Sequence, residues 1–255
     1  MEDDSGLIWA GTYTGVSVFD SRNKIEIYKN DPIDKNSLSD NVVMGVYEDE
    51  QGLLWIGTRD RGLNIINRKN KSIEHIYEGH SNYDLTTNAI SVITGKDNII
   101  WVGTRHGLNK INKENMTIEK YTEEDGLINN NIKSLLVDSE NRLWIGTPHG
   151  ISILDINTNK ITDMTYRLKE IGITDPYIQE IYEDKDGIFW IGSYTTGGLI
   201  KFDPNKDTIQ TYNSYKVDEH KEEVIINSIR DIVEDKYSNL WIGTNNGLIY
   251  YNKKK

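Results

Sequence analysis

Apolar and polar residues alternate in short runs separated by glycine- or asparagine-containing turns. Residues 228–233 (Ser-Ile-Arg-Asp-Ile-Val) alternate and are rich in β-branched side chains, which predicts a strand. Residues 234–239 are a polar turn, and 240–244 (Leu-Trp-Ile-Gly-Thr) are a second strand. Asn245, Asn246 and Gly247 make a tight hairpin connection in which glycine supplies positive φ, and 248–251 are a third strand. Earlier in the chain a fourth strand follows, as at 24–28 and 117–121. The unit is therefore a four-stranded antiparallel sheet.

This unit recurs. Leu-Trp-Ile-Gly-Thr or a close variant is centred on Trp9, Trp55, Trp101, Trp144, Trp190 and Trp241, which are all the tryptophans of the chain, at intervals of 43 to 51 residues. A strand-rich repeat of that period predicts an all-β fold, a β-propeller of about six four-stranded blades in one domain spanning 1–255. The first copy begins at the polar turn 2–6 and lacks its inner strand, and the last lacks its outer strand, so both end blades are expected to be incomplete. That pattern reads as a window from a longer array or as an imperfectly closed ring. The glycine after each Trp-Ile or Trp-Val pair, and Gly11 after Trp9-Ala10, lies inside a strand, where it predicts room for a large side chain of the neighbouring blade. Each Trp is expected to pack between blades. The third copy departs from the pattern: Gly95 stands where Asp is usual and Asn98 where Gly is usual. Asn98 is expected to adopt the left-handed conformation that preserves the turn.

Composition narrows the function. A formal net charge of −11 disfavours nucleic acid and anionic membranes as partners. The absence of cysteine excludes disulfides and thiolate chemistry. No apolar run approaches the ~20 residues of a spanning helix, so direct membrane insertion is not expected. Met1 is followed by Glu2, Asp3 and Asp4, unlike a signal peptide.

Residues 41–58 (Asn-Val-Val-Met-Gly-Val-Tyr-Glu-Asp-Glu-Gln-Gly-Leu-Leu-Trp-Ile-Gly-Thr) and 62–67 (Gly-Leu-Asn-Ile-Ile-Asn) resemble the two-component regulator propeller repeat, and the likeness extends over six copies. The resemblance implies an extracytoplasmic, non-catalytic sensor propeller of a bacterial signal-transduction receptor. In that family a membrane helix connects the propeller to a histidine kinase or diguanylate cyclase, and homodimers form through the parent receptor. No cofactor or metal is implied.

In a propeller, the loops between second and third strands and the loops between blades open on one face around the channel mouth. The former contain Tyr13, Arg59, Arg61, Arg105, His106, His149, Tyr194, Asn245 and Asn246. They differ from copy to copy while the strands stay alike, so these nine are the candidate ligand-binding residues. Arginine suits carboxylate or phosphate. Tyr13, Tyr194 and nearby Tyr177 suit stacking on a sugar ring, and the asparagines suit hydroxyls. The expected ligand is a small polar or anionic molecule, for example an oligosaccharide. Asn41, Asn88, Asn131 and Asn227, which open inner strands, are expected to serve turn backbone.

Two alternatives compete. His106 and His149 occupy equivalent positions in successive blades, as a base–acid pair or metal site would require. Streptogramin lyase has a loosely similar Trp-marked repeat, but no His-Glu-metal cluster is evident here. The other alternative is a protein-interaction scaffold, which would show an exposed apolar patch. Residues 184–187 (Asp-Lys-Asp-Gly) lack the further carboxylates of a calcium loop and read as a turn. The charged insertion 215–223 reads as a solvated inter-blade loop.

Overall fold

The computed structural model describes residues 1–20, 25–79, 84–195, 197–216 and 223–253. The fold is an all-β, six-bladed β-propeller of small antiparallel sheets. Its residues fall into two compact units: 1–122 with 130–132, and 123–129 with 133–255.

In the first unit, blade 1 consists of β1 (Ile8–Thr12), β2 (Gly15–Phe19) and β3 (Ile25–Tyr28). Blade 2 consists of β4 (Val43–Glu48), β5 (Leu53–Thr58), β6 (Leu63–Asn67) and β7 (Ser72–Ile76). Blade 3 consists of β8 (Ile90–Lys96), β9 (Ile99–Thr104), β10 (Gly107–Asn112) and β11 (Ile118–Tyr121). In the second unit, blade 4 is β12 (Ser134–Val137), β13 (Arg142–Thr147), β14 (Gly150–Asp155) and β15 (Lys160–Asp163). A short helix α1 (Thr165–Glu170), which the repeat pattern does not foretell, leads to blade 5: β16 (Ile178–Glu183), β17 (Phe189–Ser193), β18 (Leu199–Asp203) and β19 (Thr208–Tyr212). A two-stranded ribbon follows, β20 (Ser214–Lys216) with β21 (Glu223–Ile225). It flanks the charged insertion, whose residues 217–222 lie outside the described residues. Blade 6 is β22 (Ile229–Glu234), β23 (Leu240–Thr244) and β24 (Gly247–Tyr251). Blades 1 and 6 have three strands each, as expected from the ends of the repeat.

Strand alternation gives a second strand two faces. Within each unit the Trp and Gly of one blade's second strand face the apolar pair of the next blade's second strand. Trp9 packs with Val43, Leu54 and Ile56 of blade 2, and Trp55 with Ile90, Ile93 and Ile100 of blade 3. In the second unit Trp144 packs with Ile178, Phe189 and Ile191, and Trp190 with Ile229, Leu240 and Ile242. The glycine is a socket, as expected. A Cβ on Gly57 would lie 2.3 Å from Ile90 Cγ2, and one on Gly192 would lie 2.5 Å from Ile229 Cγ2.

A carboxylate six residues before the Trp fixes both the turn and the ring. Asp49 Oδ1 accepts the Gln51 and Leu53 backbone N–H, and its Oδ2 accepts the Trp55 indole N–H at 2.9 Å. Asp3, Asp138, Asp184 and Asp235 do the same for Trp9, Trp144, Trp190 and Trp241. In the third copy Gly95 has no side chain, and the buried Trp101 Nε1 has no hydrogen-bond partner among the described residues. The turn there differs from expectation. With no carboxylate to gather loop N–H groups, β8 and β9 pair as far as Lys96 and Ile99. The left-handed residue is Asp97 (φ 53), not Asn98. The Tyr47 hydroxyl donates to the Gly95 carbonyl at 2.8 Å, and a Cβ at 95 would lie 3.0 Å from the Tyr47 ring.

The missing partner makes Trp101 the least polar-dependent of the buried tryptophans. Trp55→Phe takes the indole donor from Asp49 Oδ2, leaving Lys113 at 3.4 Å as that oxygen's partner, and is expected to cost about 1–3 kcal/mol more than Trp101→Phe, the loss of a hydrogen bond to a buried charged group. Urea denaturation midpoints of the two variants check this; equal losses would show that ring packing, not the hydrogen bond, dominates.

Candidate functional site

The inner strands carry a local irregularity that places side chains at their N-terminal ends. In β4, β8, β16 and β22 the register shifts by one residue against the second strand. Both apolar anchors of each strand, for example Ile229 and Ile232, then face the core although three residues apart. Such a bulge leaves an additional residue unpaired and re-aims it. In blade 6 that residue is Arg230.

Arg230 forms the best-defined polar and aromatic cluster of the second unit. Its guanidinium carbon lies 4.7 Å from the centroid of the Tyr194 ring, and its Nε donates to Asn245 Oδ1 at 2.9 Å. Tyr194 is held by its N–H donating to the Tyr177 carbonyl at 2.8 Å and by the Ser228 hydroxyl donating to its own carbonyl at 3.2 Å. The Tyr177 and Tyr194 rings lie 5.3 Å apart, inclined at 48°. A cavity of about 350 Å³ is lined by the adjoining loop residues Thr195, Gly197, Asn213 and Asn227 among others, and none of Tyr177, Tyr194, Arg230 or Asn245 lines it. The stack and the Asn245 bond pre-orient the guanidinium, so a ligand need not order it on arrival.

Two carboxylates occupy the position after the bulge in successive inner strands, Glu180 opposite Gly192 and Asp231 opposite Gly243. Burial, reinforced by the Asp231 charge, pushes Glu180 up to about 8. Glu180 is therefore largely protonated at neutral pH.

The other sequence-predicted residues distribute as follows. In the first unit Arg59 stacks on Tyr13, 5.1 Å from the ring centroid, beside a cavity of about 310 Å³ lined by Gly11, Thr12, Tyr13, Val43 and Met44. Arg61, Arg105 and His106 are exposed hairpin residues held through backbone N–H groups, to Thr58 Oγ1, the Ala89 carbonyl and Thr104 Oγ1 respectively. In the second unit His149 and Asn246 are exposed hairpin residues with the equivalent backbone bonds to Thr147 and Thr244. Of the nine candidates, the structure pairs Tyr13 with Arg59, and it joins Tyr194 and Asn245 to Arg230, a residue the sequence reading had left in a plain strand. The strand-opening asparagines behave as turn residues where their bonds are described: Asn41 and Asn88 accept the backbone N–H of Asn30 and Glu78. No group of three or more His, Asp or Glu able to hold a metal exists among the described residues. No helix among them is long and apolar enough to cross a membrane.

Comparison with known proteins agrees with the repeat. The sequence profile of the two-component regulator propeller matches residues 37–60, 126–149, 172–195 and 224–246. No curated protein matches the chain in sequence. Among solved structures, the chain is similar over its full length to an extracellular domain described as belonging to a hybrid two-component system of B. thetaiotaomicron, with 24% identity and a TM-score of 0.80. It is similar over its full length to a second such domain, of a one-component system of the same organism, with 22% identity and a TM-score of 0.80. The chain spans only 33% and 35% of those two structures. Virginiamycin B lyase from Staphylococcus aureus is also similar, with 17% identity and a TM-score of 0.72, covering 100% of this chain and 83% of the lyase. At these identities the structural likenesses establish the fold alone.

The protonated carboxyl gives a pH signature. Glu180 ionises near 4.5 when unfolded and near 8 when folded. Its contribution to stability is intact below the lower value and is lost as pH rises through that window, because the unfolded chain releases the proton first. Glu180→Gln is expected to remove this loss, so that the variant gains thermal stability over the native chain at pH 8 but not at pH 4.5. Parallel melting-temperature profiles for the two proteins would show that Glu180 is ionised in the fold.

Proposed function

We propose that this chain, which matches the two-component regulator propeller profile over residues 37–60, 126–149, 172–195 and 224–246, is the ligand-sensing, non-catalytic part of an extracytoplasmic bacterial receptor. Any homodimer would form through the parent receptor. The ligand is a small polar or anionic molecule, of the size of a mono- or oligosaccharide, engaged by Tyr177, Tyr194, Arg230 and Asn245. The observation that supports this reading is the guanidinium of Arg230 stacked on Tyr194 and tied to Asn245. Only its Nε is committed among the described residues, which leaves Nη donors for a carboxylate or a pair of hydroxyls. The two tyrosine rings offer apolar faces to a sugar ring. Tyr13 with Arg59 repeats the same chemistry in the first unit.

A thermal-shift screen against neutral and carboxylated oligosaccharides, organic acids and nucleotides tests the assignment, since a ligand of the folded state raises the melting temperature. Arg230→Met is expected to weaken a binder about 10-fold or more, the equivalent of losing a charge-assisted bond worth roughly 1.5–3 kcal/mol. Tyr194→Ala should do likewise, while Arg105→Ala should leave affinity unchanged. A binder indifferent to Arg230 and Tyr194 would place the site elsewhere. A shift produced by divalent metal alone and abolished by His106→Ala or His149→Ala would replace sensing with a lyase-type reading.

A further inference from the structure

Within the first unit, the crevice between blades 1 and 2 is built like the one between blades 2 and 3, but its outer part is left open. Register aligns Val18 with Ile65, each opposite the Trp of its own blade. Lys71 and Met116 stand two residues before Ile73 and Ile118 of the outer strands and share a left-handed backbone, φ 58 and 55. Between blades 2 and 3, Ile65 lies in the buried cluster and Met116 folds against it. Between blades 1 and 2 both plugs are reduced: Val18 is one methylene shorter, and Lys71 is exposed. The crevice between blades 4 and 5, in the second unit, is filled by its linker, whose Leu168 and Ile173 join Phe189 and Ile191 in one cluster. At blades 1 and 2 a cavity of about 760 Å³ results, within the size range of small-molecule sites.

The roof of this cavity is the linker 29–38, rooted by the buried Leu38 and pinned to the outer strand of blade 2. Asn36 imitates a neighbouring strand at the edge of β7: its Nδ2 donates to the Lys71 carbonyl at 2.6 Å and its Oδ1 accepts the Ile73 N–H at 2.7 Å. His75 Nε2 lies 2.9 Å from the Ser37 carbonyl oxygen. The floor is apolar and aromatic, with Trp9, Tyr28, Ile66 and Ile73. The Trp9 and Tyr28 rings are 5.7 Å apart.

The charges at the mouth are balanced: Lys29, Arg68 and Lys71 face Glu26, Asp31 and Asp34. Some are already committed. Arg68 holds Asp3 and Glu48, while Asp31 and Asp34 accept the loop N–H groups of Ile33 and Asn36. Lys29, Lys71 and Glu26 have no ion-pair partner among the described residues. Glu26 stands opposite Val18, and its charge adds to burial in raising the Tyr28 phenol above its ordinary value, against the opposing charge of Arg68. The mouth thus offers uncommitted groups of both signs above an apolar floor. A monoanion would meet the lysines but also Glu26, and a monocation the converse. A molecule charged at both ends, with an apolar body, matches all three.

We propose that the crevice between blades 1 and 2 is a binding site for a small zwitterion with an apolar side chain, a free amino acid or a di- or tripeptide. It shares no residue with the clusters at Tyr13 or Tyr194. The apolar side chain lies over Trp9 and Tyr28, the carboxylate meets Lys29 and Lys71, and the ammonium meets Glu26.

Isothermal titration of the full chain tests this with phenylalanine, the dipeptide Phe-Leu, N-acetylphenylalaninamide, 3-phenylpropionate and phenethylamine. Phenylalanine or Phe-Leu is expected to bind about 10-fold or more tighter than the three probes that lack one or both charges, the equivalent of one charge-assisted hydrogen bond. The tighter of the two tells a free amino acid from a peptide as the source. Val18→Ile with Lys71→Met copies the filled crevice, in a backbone conformation that Met116 already holds. This variant should melt higher and lose binding by about 10-fold or more. Glu26→Gln, a substitution at an exposed position, should weaken the zwitterions and leave 3-phenylpropionate unweakened. Three results overturn the proposal: no binding of either zwitterion at millimolar concentration, undiminished binding to the filled variant, or tighter binding of a probe carrying one charge or none.

Discussion

The hydrogen bond from a tryptophan indole to an aspartate six residues earlier is the constraint on which the blades depend. A single carboxylate gathers two turn N–H groups on one oxygen and the indole on the other. It therefore closes the hairpin between first and second strands and sets the angle at which the largest apolar side chain leaves the sheet. That angle decides how the next blade packs, because the Trp and the glycine socket two residues on present one surface to it. Leu and Ile of the next second strand, with the first anchor of its inner strand, complete that surface. Losing the carboxylate has local consequences only where the turn can be rebuilt, as Gly95 and the Tyr47 hydroxyl demonstrate.

A buried carboxylate is a cost unless its charge is met. Burial of Asp184 raises its proton affinity, but Lys253, the Trp190 indole and the Ile188 N–H more than reverse this, and the group stays below the usual carboxylate range. Asp3 is held low in the same way by Trp9, Leu7 and Arg68 against its burial. Lys253 also meets Glu234 at 2.7 Å, so one cation joins the turn of blade 5 to the inner strand of its own blade. Arg68 makes the equivalent link from Asp3 to Glu48. Packing and charge thus specify the same neighbour twice, once through a methyl in a glycine socket and once through an ammonium or guanidinium on the carboxylate.

Most of the fold was legible because the interactions that build it are local and repeated. Alternation marks strands, a fixed Trp interval marks blades, and the short counts at both ends mark three-stranded sheets. The Asp–Trp bond was equally present in the sequence, as a spacing of six in every copy but the third, yet spacing alone does not reveal that a turn residue reaches a ring. The hairpin at Asp97 was misplaced because the left-handed position was assigned by residue type, whereas the lost carboxylate changed the turn itself. The site was half legible. Variable hairpin loops pointed to Tyr194 and Asn245, but Arg230 was hidden by assuming unbroken alternation through β22. Its anchors Ile229 and Ile232 are three apart, like Val43 and Val46, Ile90 and Ile93, or Ile178 and Ile181, and that interval is what a bulged strand requires.

The bulge also explains how a repeat made for packing acquires a specific site. In each bulged inner strand the residue before the bulge fills the preceding blade's socket, and the later anchor packs in the core. The residue between them carries no packing duty. Met44, Ser91, Gln179 and Arg230 occupy that slot, and no two are chemically alike. Only in blade 6 does the slot hold a guanidinium, and only there does the preceding blade present an aromatic pair, Tyr177 and Tyr194, for it to stack on. Symmetry is broken at one of the few places where breaking it costs the scaffold nothing.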